Sequence, residues 1–238
     1  MKIALIGYGK MGKAIEKIAL EKGHEIIYKI DFDSQHLLEK EALSKADVAI
    51  EFTTPATAYG NIMKCFAAGV PVVVGTTGWL EKLPEVEEQC KAGNHSFLCT
   101  SNFSIGVNIF FELNKRLAEL MAPHPEYNVR MHEIHHTQKK DAPSGTAISL
   151  AKQIIEINPR KDSWVDGFAS EVKELGITSE RIDPTPGTHS VTYTSKIDDI
   201  EIKHTAHSRE GFAAGAVAAA EFIHDKKGVF TMKDVLRF

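Results

Sequence analysis

The sequence reads as an α/β protein, a doubly wound parallel sheet followed by a smaller α+β layer, and three patterns lead to that reading. Short apolar strands alternate with helix-like stretches from Met1 to about Phe103. A glycine-rich turn, Gly7-Tyr8-Gly9-Lys10-Met11-Gly12, joins the first strand to the first helix. After Phe103 the alternation gives way to longer β-rich stretches. Continuous apolar strands separated by helices belong to parallel sheets covered on both faces.

The elements follow in order. Lys2 to Ile6 is an apolar strand, and Lys13 to Lys22 is a helix because Ala14, Ile15, Ile18 and Ala19 recur at helical spacing. Glu25 to Ile30 is a strand ending at Asp31, and Asp47 to Phe52 is a strand ending in Thr53-Thr54-Pro55. Ala58 to Ala68 reads as a helix stopped by Gly69, and Val70 to Val74 as a β-branched strand ending at Gly75-Thr76-Thr77-Gly78. Leu80 to Cys90 is a helix and Phe97 to Thr100 a strand, with Ser101-Asn102 beyond it. A long helix from Val107 to Met121 opens the second part, followed by a strand from Val129 to His135 and a helix from Thr146 to Ile157. His189 to Thr194 and Ile200 to Thr205 add a mixed or antiparallel sheet, and the helix Phe212 to Ile223 returns to the first domain. The expected domains are 1–103 with 209–238, and 104–208.

At 238 residues the chain can bury a substantial core, and a formal net charge of −4 gives no reason to expect a nucleic-acid partner. No apolar stretch approaches membrane-spanning length, and the short apolar start lacks the form of a signal peptide. Cys65, Cys90 and Cys99 are far apart and odd in number, which suggests reduced, inert thiols in a cytoplasmic protein. Gly211-Phe212-Ala213-Ala214-Gly215 matches a small-residue helix-packing pattern, but flanking charges place it in a tightly packed helix outside a membrane.

The glycine turn has the context that a dinucleotide site requires. Gly7 allows the tight turn, Gly9 lets the backbone approach a pyrophosphate, and Gly12 lets helix and strand pack closely. Asp31 stands where a ribose-binding acid is expected, giving a Rossmann-like fold. Ligands of such sheets lie beyond the carboxyl ends of the strands. The expected cofactor contacts are therefore Gly7, Tyr8, Gly9, Lys10, Met11, Gly12, Asp31, Thr53, Gly75, Thr76, Thr77, Ser101, Asn102 and Phe103.

The segment from Glu133 to Ala147, E-I-H-H-T-Q-K-K-D-A-P-S-G-T-A, is the chemically dense one. Imidazole and ammonium donate protons near neutral pH, and a Ser-Gly-Thr helix start offers free N–H groups to an anion. His132-Glu133-Ile134-His135-His136 also matches the H-E-x-x-H zinc pattern, which works only on a helix. On a strand those two histidines lie about 13 Å apart, so no metal is expected. Phe103, Phe110 and Phe111 read as core, and Lys140 as solvated.

The chain resembles the dihydrodipicolinate reductase family over nearly its whole length. The resemblance rests on Glu133-Ile134-His135-His136, Lys139 and Asp141 to Ala147, and on Asp47 to Pro55 and Gly75 to Gly78. It extends to Asn102 to Asn108, Gly187-Thr188-His189 and His204 to Phe212. It implies hydride transfer from NADH or NADPH to a cyclic unsaturated imine dicarboxylate, with loss of water, in lysine and diaminopimelate biosynthesis. It also implies that His135 and Lys139 are an acid/base pair, that His136 and Lys139 face the carboxylates, and that Ser144, Gly145 and Thr146 bind one of them. Arg209 is placed on the substrate side, and the assembly is expected to be a homotetramer built on the second domain. Two departures stand out: Arg181 to Pro186 replaces an Arg-x-Gly pattern, and the glycine loop has the shorter spacing. Asp31 and Asp33 favour a ribose diol, while Lys10 and Lys29 could offset them, so dual cofactor use with NADH at least equal to NADPH is expected. The rival readings are another small dehydrogenase, for instance one acting on aspartate, and a nucleotide-sensing module without turnover.

Overall fold

The computed structural model describes residues 1–208 and 210–238. The chain divides into two compact units, Met1–Ile105 with Glu210–Phe238, and Gly106–Arg209. The strands are β1 (Lys2–Ile6), β2 (Glu25–Ile30), β3 (Val48–Glu51), β4 (Val72–Val74), β5 (Ser96–Cys99), β6 (Asn128–His135), β7 (Ser163–Asp166), β8 (Glu174–Arg181), β9 (Gly187–Thr194), β10 (Asp199–Ala206) and β11 (Gly228–Phe230). The helices are α1 (Lys10–Glu21), α2 (Lys40–Leu43), α3 (Pro55–Ala67), α4 (Leu83–Ala92), α5 (Ile105–Met121), α6 (Gly145–Ile157), α7 (Glu210–Ile223) and α8 (Met232–Leu236).

The first unit is a six-stranded parallel sheet in the order β11-β5-β4-β3-β1-β2. Successive strand residues point to opposite faces, so each apolar strand feeds two cores. Ala4, Ile6, Val72 and Val74 pack with Ile62 and Phe66 of α3 and Val86 of α4. Ile3, Leu5, Val73 and Leu98 pack with Ile15 and Ala19 of α1 and Ala216 and Val217 of α7. This is the doubly wound arrangement that the continuous apolar strands imply. The second unit carries a mixed sheet, β10-β9-β6-β8-β7, antiparallel at β10-β9 and β9-β6 and parallel at β6-β8 and β8-β7. One of its faces packs on α5 and α6 through Phe110, Ala118, Leu150 and Ile154, with Phe111 partly buried beside them.

Several elements run against the sequence reading. Helix α1 begins at Lys10, inside the glycine turn, and not at Lys13, so the loop is itself the helix start. A 3₁₀ turn at Phe32–Leu38, helices α2 and α8 and strands β7, β8 and β11 have no strong local signature. Strand β8 is an inner strand although its sequence, ELGITSER, holds a glycine and three charges. Pairing on both sides defines it, and local propensity does not.

Helix α7 explains its own composition. A Cβ on Gly215 would lie 1.8 Å from the Phe103 carbonyl oxygen, so the helix packs directly on that backbone. At Gly211 the nearest neighbour would be the Ser104 hydroxyl at 3.7 Å, an ordinary contact. The two glycines should therefore respond oppositely to alanine in denaturant unfolding. Gly215→Ala is expected to cost about 2–3 kcal/mol through overpacking, and Gly211→Ala to be neutral or to gain up to about 1 kcal/mol.

Candidate functional site

In the first unit, the turn between β1 and α1 is shaped by close backbone approach. Gly7 has φ +96°, and a Cβ there would fall 2.0 Å from the Phe52 carbonyl oxygen, while one on Gly12 would fall 2.4 Å from the Gly7 carbonyl. Nothing lies within 4 Å of a Cβ built on Gly9, which caps α1 and leaves its surface open. The first N–H groups of a helix have no partner within it, and together with the helix dipole they favour an anion. A cavity of about 480 Å³ opens here, lined by Gly9, Lys10, Met11, Phe52, Thr53, Pro55, Gly75, Thr76 and Thr77. It combines an open glycine, a helix start and the carboxyl ends of β3 and β4, which fits a dinucleotide.

Not every expected cofactor residue lines that cavity. Gly7 and Gly12 act from beneath, through packing. The Tyr8 hydroxyl donates to Glu16, whose carboxylate also pairs with Lys29 at 2.5 Å, and the Lys29 ammonium lies 5.1 Å from the Tyr8 ring centre. Asp31 stands at the end of β2, accepting from the Phe32 N–H at 2.9 Å. Ser101 is exposed, and the Asn102 side chain accepts from the Ser104 N–H at 2.9 Å. The Phe103 ring lies in the core, as its type suggests: it is only 2% exposed and 5.6 Å from the Phe52 ring, so any cofactor contact falls to its backbone.

In the second unit the strand period does the placing. Along β6, Val129, Met131, Glu133 and His135 face inward on alternate residues, the first two into the apolar core and the last two at its edge. Register then brings His189 of β9 opposite Glu133, and Arg181 of β8 opposite His135. Glu133 is fully buried and heavily bonded. It accepts from the Ser144 N–H at 3.1 and 3.2 Å, the Ser179 hydroxyl at 3.1 Å and the Arg181 guanidinium at 3.1 Å. His189 Nε2 lies 3.5 Å and His135 Nδ1 3.6 Å away. Burial alone would push the Glu133 carboxyl up, but hydrogen bonds from His189 and Ser144 and the field of His135 outweigh it and hold it below the usual carboxylate range. His135 is 7% exposed, and burial pushes its imidazole down to about 4, so it is neutral near pH 7.

The loop after β6 carries the remaining groups. Lys139, with its side chain 24% exposed, pairs with Asp141 at 2.8 Å. Arg181 holds this loop from below, donating to the carbonyls of Lys139 at 3.2 Å and Asp141 at 2.5 Å. The departing stretch has its own tie: Asp183 accepts from the Thr137 N–H at 3.2 Å and from its hydroxyl, and the Ile182 N–H donates to the His135 carbonyl at 2.7 Å. Ser144 also serves the fold: its hydroxyl caps α6 by accepting from the Ala147 N–H at 3.2 Å, and its own N–H is held by Glu133. Gly145 is exposed and Thr146 half-buried at the start of α6, where first-turn N–H groups face outward. His136 is half-buried next to His135. Arg209 lies outside the described residues.

Glu133, Arg181 and His189 were not among the expected site residues. The signal for Glu133 was present: an acid on the inward face of an alternating strand. His132 and His136 do not share a helix face, since β6 is a strand and His132 bonds Thr178 at 2.8 Å. Glu133, His135 and His189 do bring ligand-type atoms within 4.8 Å of one another. The carboxylate there is already neutralised by Arg181 and filled by N–H and O–H donors, the chemistry of a satisfied buried anion.

A doubly wound dinucleotide-binding unit, joined to an α+β unit bearing a lysine, two histidines and a helix start, defines a dinucleotide-dependent oxidoreductase. The chain belongs to the dihydrodipicolinate reductase family: the family's N-terminus matches residues 1–103 and its C-terminus residues 106–236. It is 51% identical to the 4-hydroxy-tetrahydrodipicolinate reductase of Christiangramia forsetii, over 99% of this chain and 98% of that one. It is 41% identical to the Methanosarcina barkeri enzyme of the same name, over 81% of this chain and 74% of that one. Among solved structures, dipicolinate-bound dihydrodipicolinate reductase from Paenisporosarcina sp. TG-14 matches with a TM-score of 0.78 and 24% identity, over 98% of both chains. A putative myo-inositol dehydrogenase from Sinorhizobium meliloti 1021 matches with a TM-score of 0.57 and 10% identity, over 99% of this chain and 93% of that one. These structural matches show the fold.

The buried pair makes a pH prediction. The folded state refuses a proton at His135 that the unfolded chain accepts, so its contribution to stability is complete above pH 6.5 and is lost as pH falls towards about 4. The depressed Glu133 carboxyl extends that loss to lower pH, beginning near its unfolded value of about 4.3. Proton NMR should place the His135 midpoint near 4; a midpoint at or above 6.5 would contradict this environment.

Proposed function

We propose that this chain is a 4-hydroxy-tetrahydrodipicolinate reductase, reducing a cyclic unsaturated imine dicarboxylate in lysine and diaminopimelate biosynthesis. The reduced nicotinamide of NADH or NADPH supplies the hydride when bound. The observation that carries the reading is the His135-to-Thr146 segment. It holds an ammonium on Lys139, a neutral imidazole on His135 and the start of α6 at Gly145 and Thr146, all braced by Arg181 and Glu133.

The division of labour follows from that geometry. Reduction of the imine must be completed by a proton, and a neutral, buried His135 has no imidazolium proton to give at pH 7. Lys139 is therefore the proton donor, and its partial exposure allows solvent to reprotonate it. His135 packs against Glu133 and positions the loop. His136 and Lys139 face the carboxylates, and the N–H groups of Gly145 and Thr146 with the Thr146 hydroxyl bind one of them. Dipicolinate, the planar dicarboxylate bound by the Paenisporosarcina relative, fits the same requirement.

Asp31 supports a ribose diol, and Lys29 is engaged by Glu16, which leaves less positive charge for a 2′-phosphate. NADH is therefore used at least as well as NADPH. The free cysteines, with Cys65 and Cys90 buried and Cys99 half-buried, accord with a cytoplasmic enzyme, and the assembly we infer is a homotetramer built on the second unit's sheet.

Lys139→Ala should lower kcat by about 10²–10⁴ while leaving NADH affinity nearly unchanged; collapse of that affinity would contradict the assignment. The ratio of kcat/KM for the two cofactors checks the preference, and a strong bias to NADPH would overturn it.

A further inference from the structure

Glu51, the last residue of β3, has no solvent exposure, and none of the roles above uses it. It lies behind the wall of the nucleotide cavity, bonded to two of the threonines that form it. Its Oε1 accepts from the Thr53 hydroxyl and from the Asn61 amide at 3.2 Å, and its Oε2 accepts from the Thr76 hydroxyl at 2.7 Å. Thr76 Oγ1 also accepts from the Thr53 N–H at 2.7 Å, so this hydroxyl bridges the Thr53 backbone and Glu51.

With donors on both oxygens, the carboxyl group needs no proton of its own to complete its hydrogen bonds. Burial pushes its pKa up by more than the donors Thr53, Thr76 and Asn61 pull it back, which leaves it above the usual carboxylate range. The nearby thiols of Cys65 and Cys99 are pushed up mainly by burial and further by the Glu51 charge, Cys99 to about 12, so neither competes as an anion. Among the described residues no lysine, arginine or histidine forms an ion pair with Glu51. A buried charge with no counter-ion projects its field into whatever binds above it.

Sheet order says what that is. Strand β2, with Asp31, lies on one side of β1, and β3 and β4 lie on the other. A dinucleotide whose adenosine ribose meets Asp31 and whose pyrophosphate meets Gly9 extends its nicotinamide half over β3 and β4. Thr53 and Thr76 line the cavity there. We propose that Glu51 is the counter-charge of the nicotinamide site, favouring the positively charged oxidised ring over the neutral reduced ring and so favouring hydride donation. This rests on the nicotinamide-cofactor reading above. Glu51 acts through the threonine wall, as a positioning and electrostatic residue.

The test is equilibrium titration of the full chain with NADH, followed by its own fluorescence, and with NAD⁺ by competition. Glu51→Gln is expected to weaken NAD⁺ binding on the order of tenfold while NADH binding stays within about twofold. Glu51→Asp, which keeps the charge, should keep the wild-type ratio. Equal losses for both nucleotides would show that Glu51 only holds the wall, and an unchanged ratio that its charge is not felt; either overturns the proposal. Should Glu51→Gln fail to fold, carboxyl ¹³C NMR of the wild-type protein, assigned with Glu51→Asp, decides instead. Glu51 should be ionised at neutral pH and titrate lower with NAD⁺ than with NADH; a protonated or nucleotide-insensitive carboxyl overturns the proposal. A wild-type chain that binds neither nucleotide overturns the cofactor reading itself, and the role of Glu51 with it.

Discussion

A carboxylate withdrawn from water must recover its hydrogen bonds from the protein, and the second unit is organised around Glu133 meeting that demand. Its donors come from three different places: the start of α6 through Ser144, β8 through Ser179 and Arg181, and β9 through His189, while His135 of its own strand lies 3.6 Å away. Each donor carries a segment of chain with it. Ser144 fixes where α6 begins, and Arg181 fixes the carbonyls of Lys139 and Asp141. The loop bearing the ammonium is thus tied to the sheet at both ends by a single anion.

The same device recurs in the first unit with a different purpose. Glu51 is also fully buried at the end of a strand and is also satisfied by hydroxyl and amide donors. Glu133 has a guanidinium beside it and ends neutralised; Glu51 has none and keeps its field. One anion organises a loop, and the other charges a cavity. In both, the strand end sets the position, because side-chain alternation aims the last residues of β3 and β6 beneath the surface where ligands of such folds collect.

Much of this was legible from residues alone. The glycine turn, the strands through Ile6 and Ile30 and the helix opening at Gly145 follow from periodicity and punctuation. The segment from Glu133 to Thr146 announced itself by composition. What escaped was whatever depends on pairing. Strand β8 has weak local preference and is a strand because β6 and β7 flank it. Arg181 and His189 matter through register with β6, about fifty residues away, which no local pattern encodes. The cap that Ser144 makes on α6 depends on how deeply β6 and Glu133 bury it, which its residue type alone does not show. The core place of Phe103 was legible from its type, but the close approach of Gly215 that holds it there was not.

The most direct test is oxidation of NADH by the purified chain, with substrate generated in place from pyruvate and aspartate semialdehyde by the preceding synthase. Rapid oxidation that requires both precursors and the synthase is the predicted result. A protein that binds the nucleotide yet oxidises neither NADH nor NADPH above the rate without substrate would contradict the account.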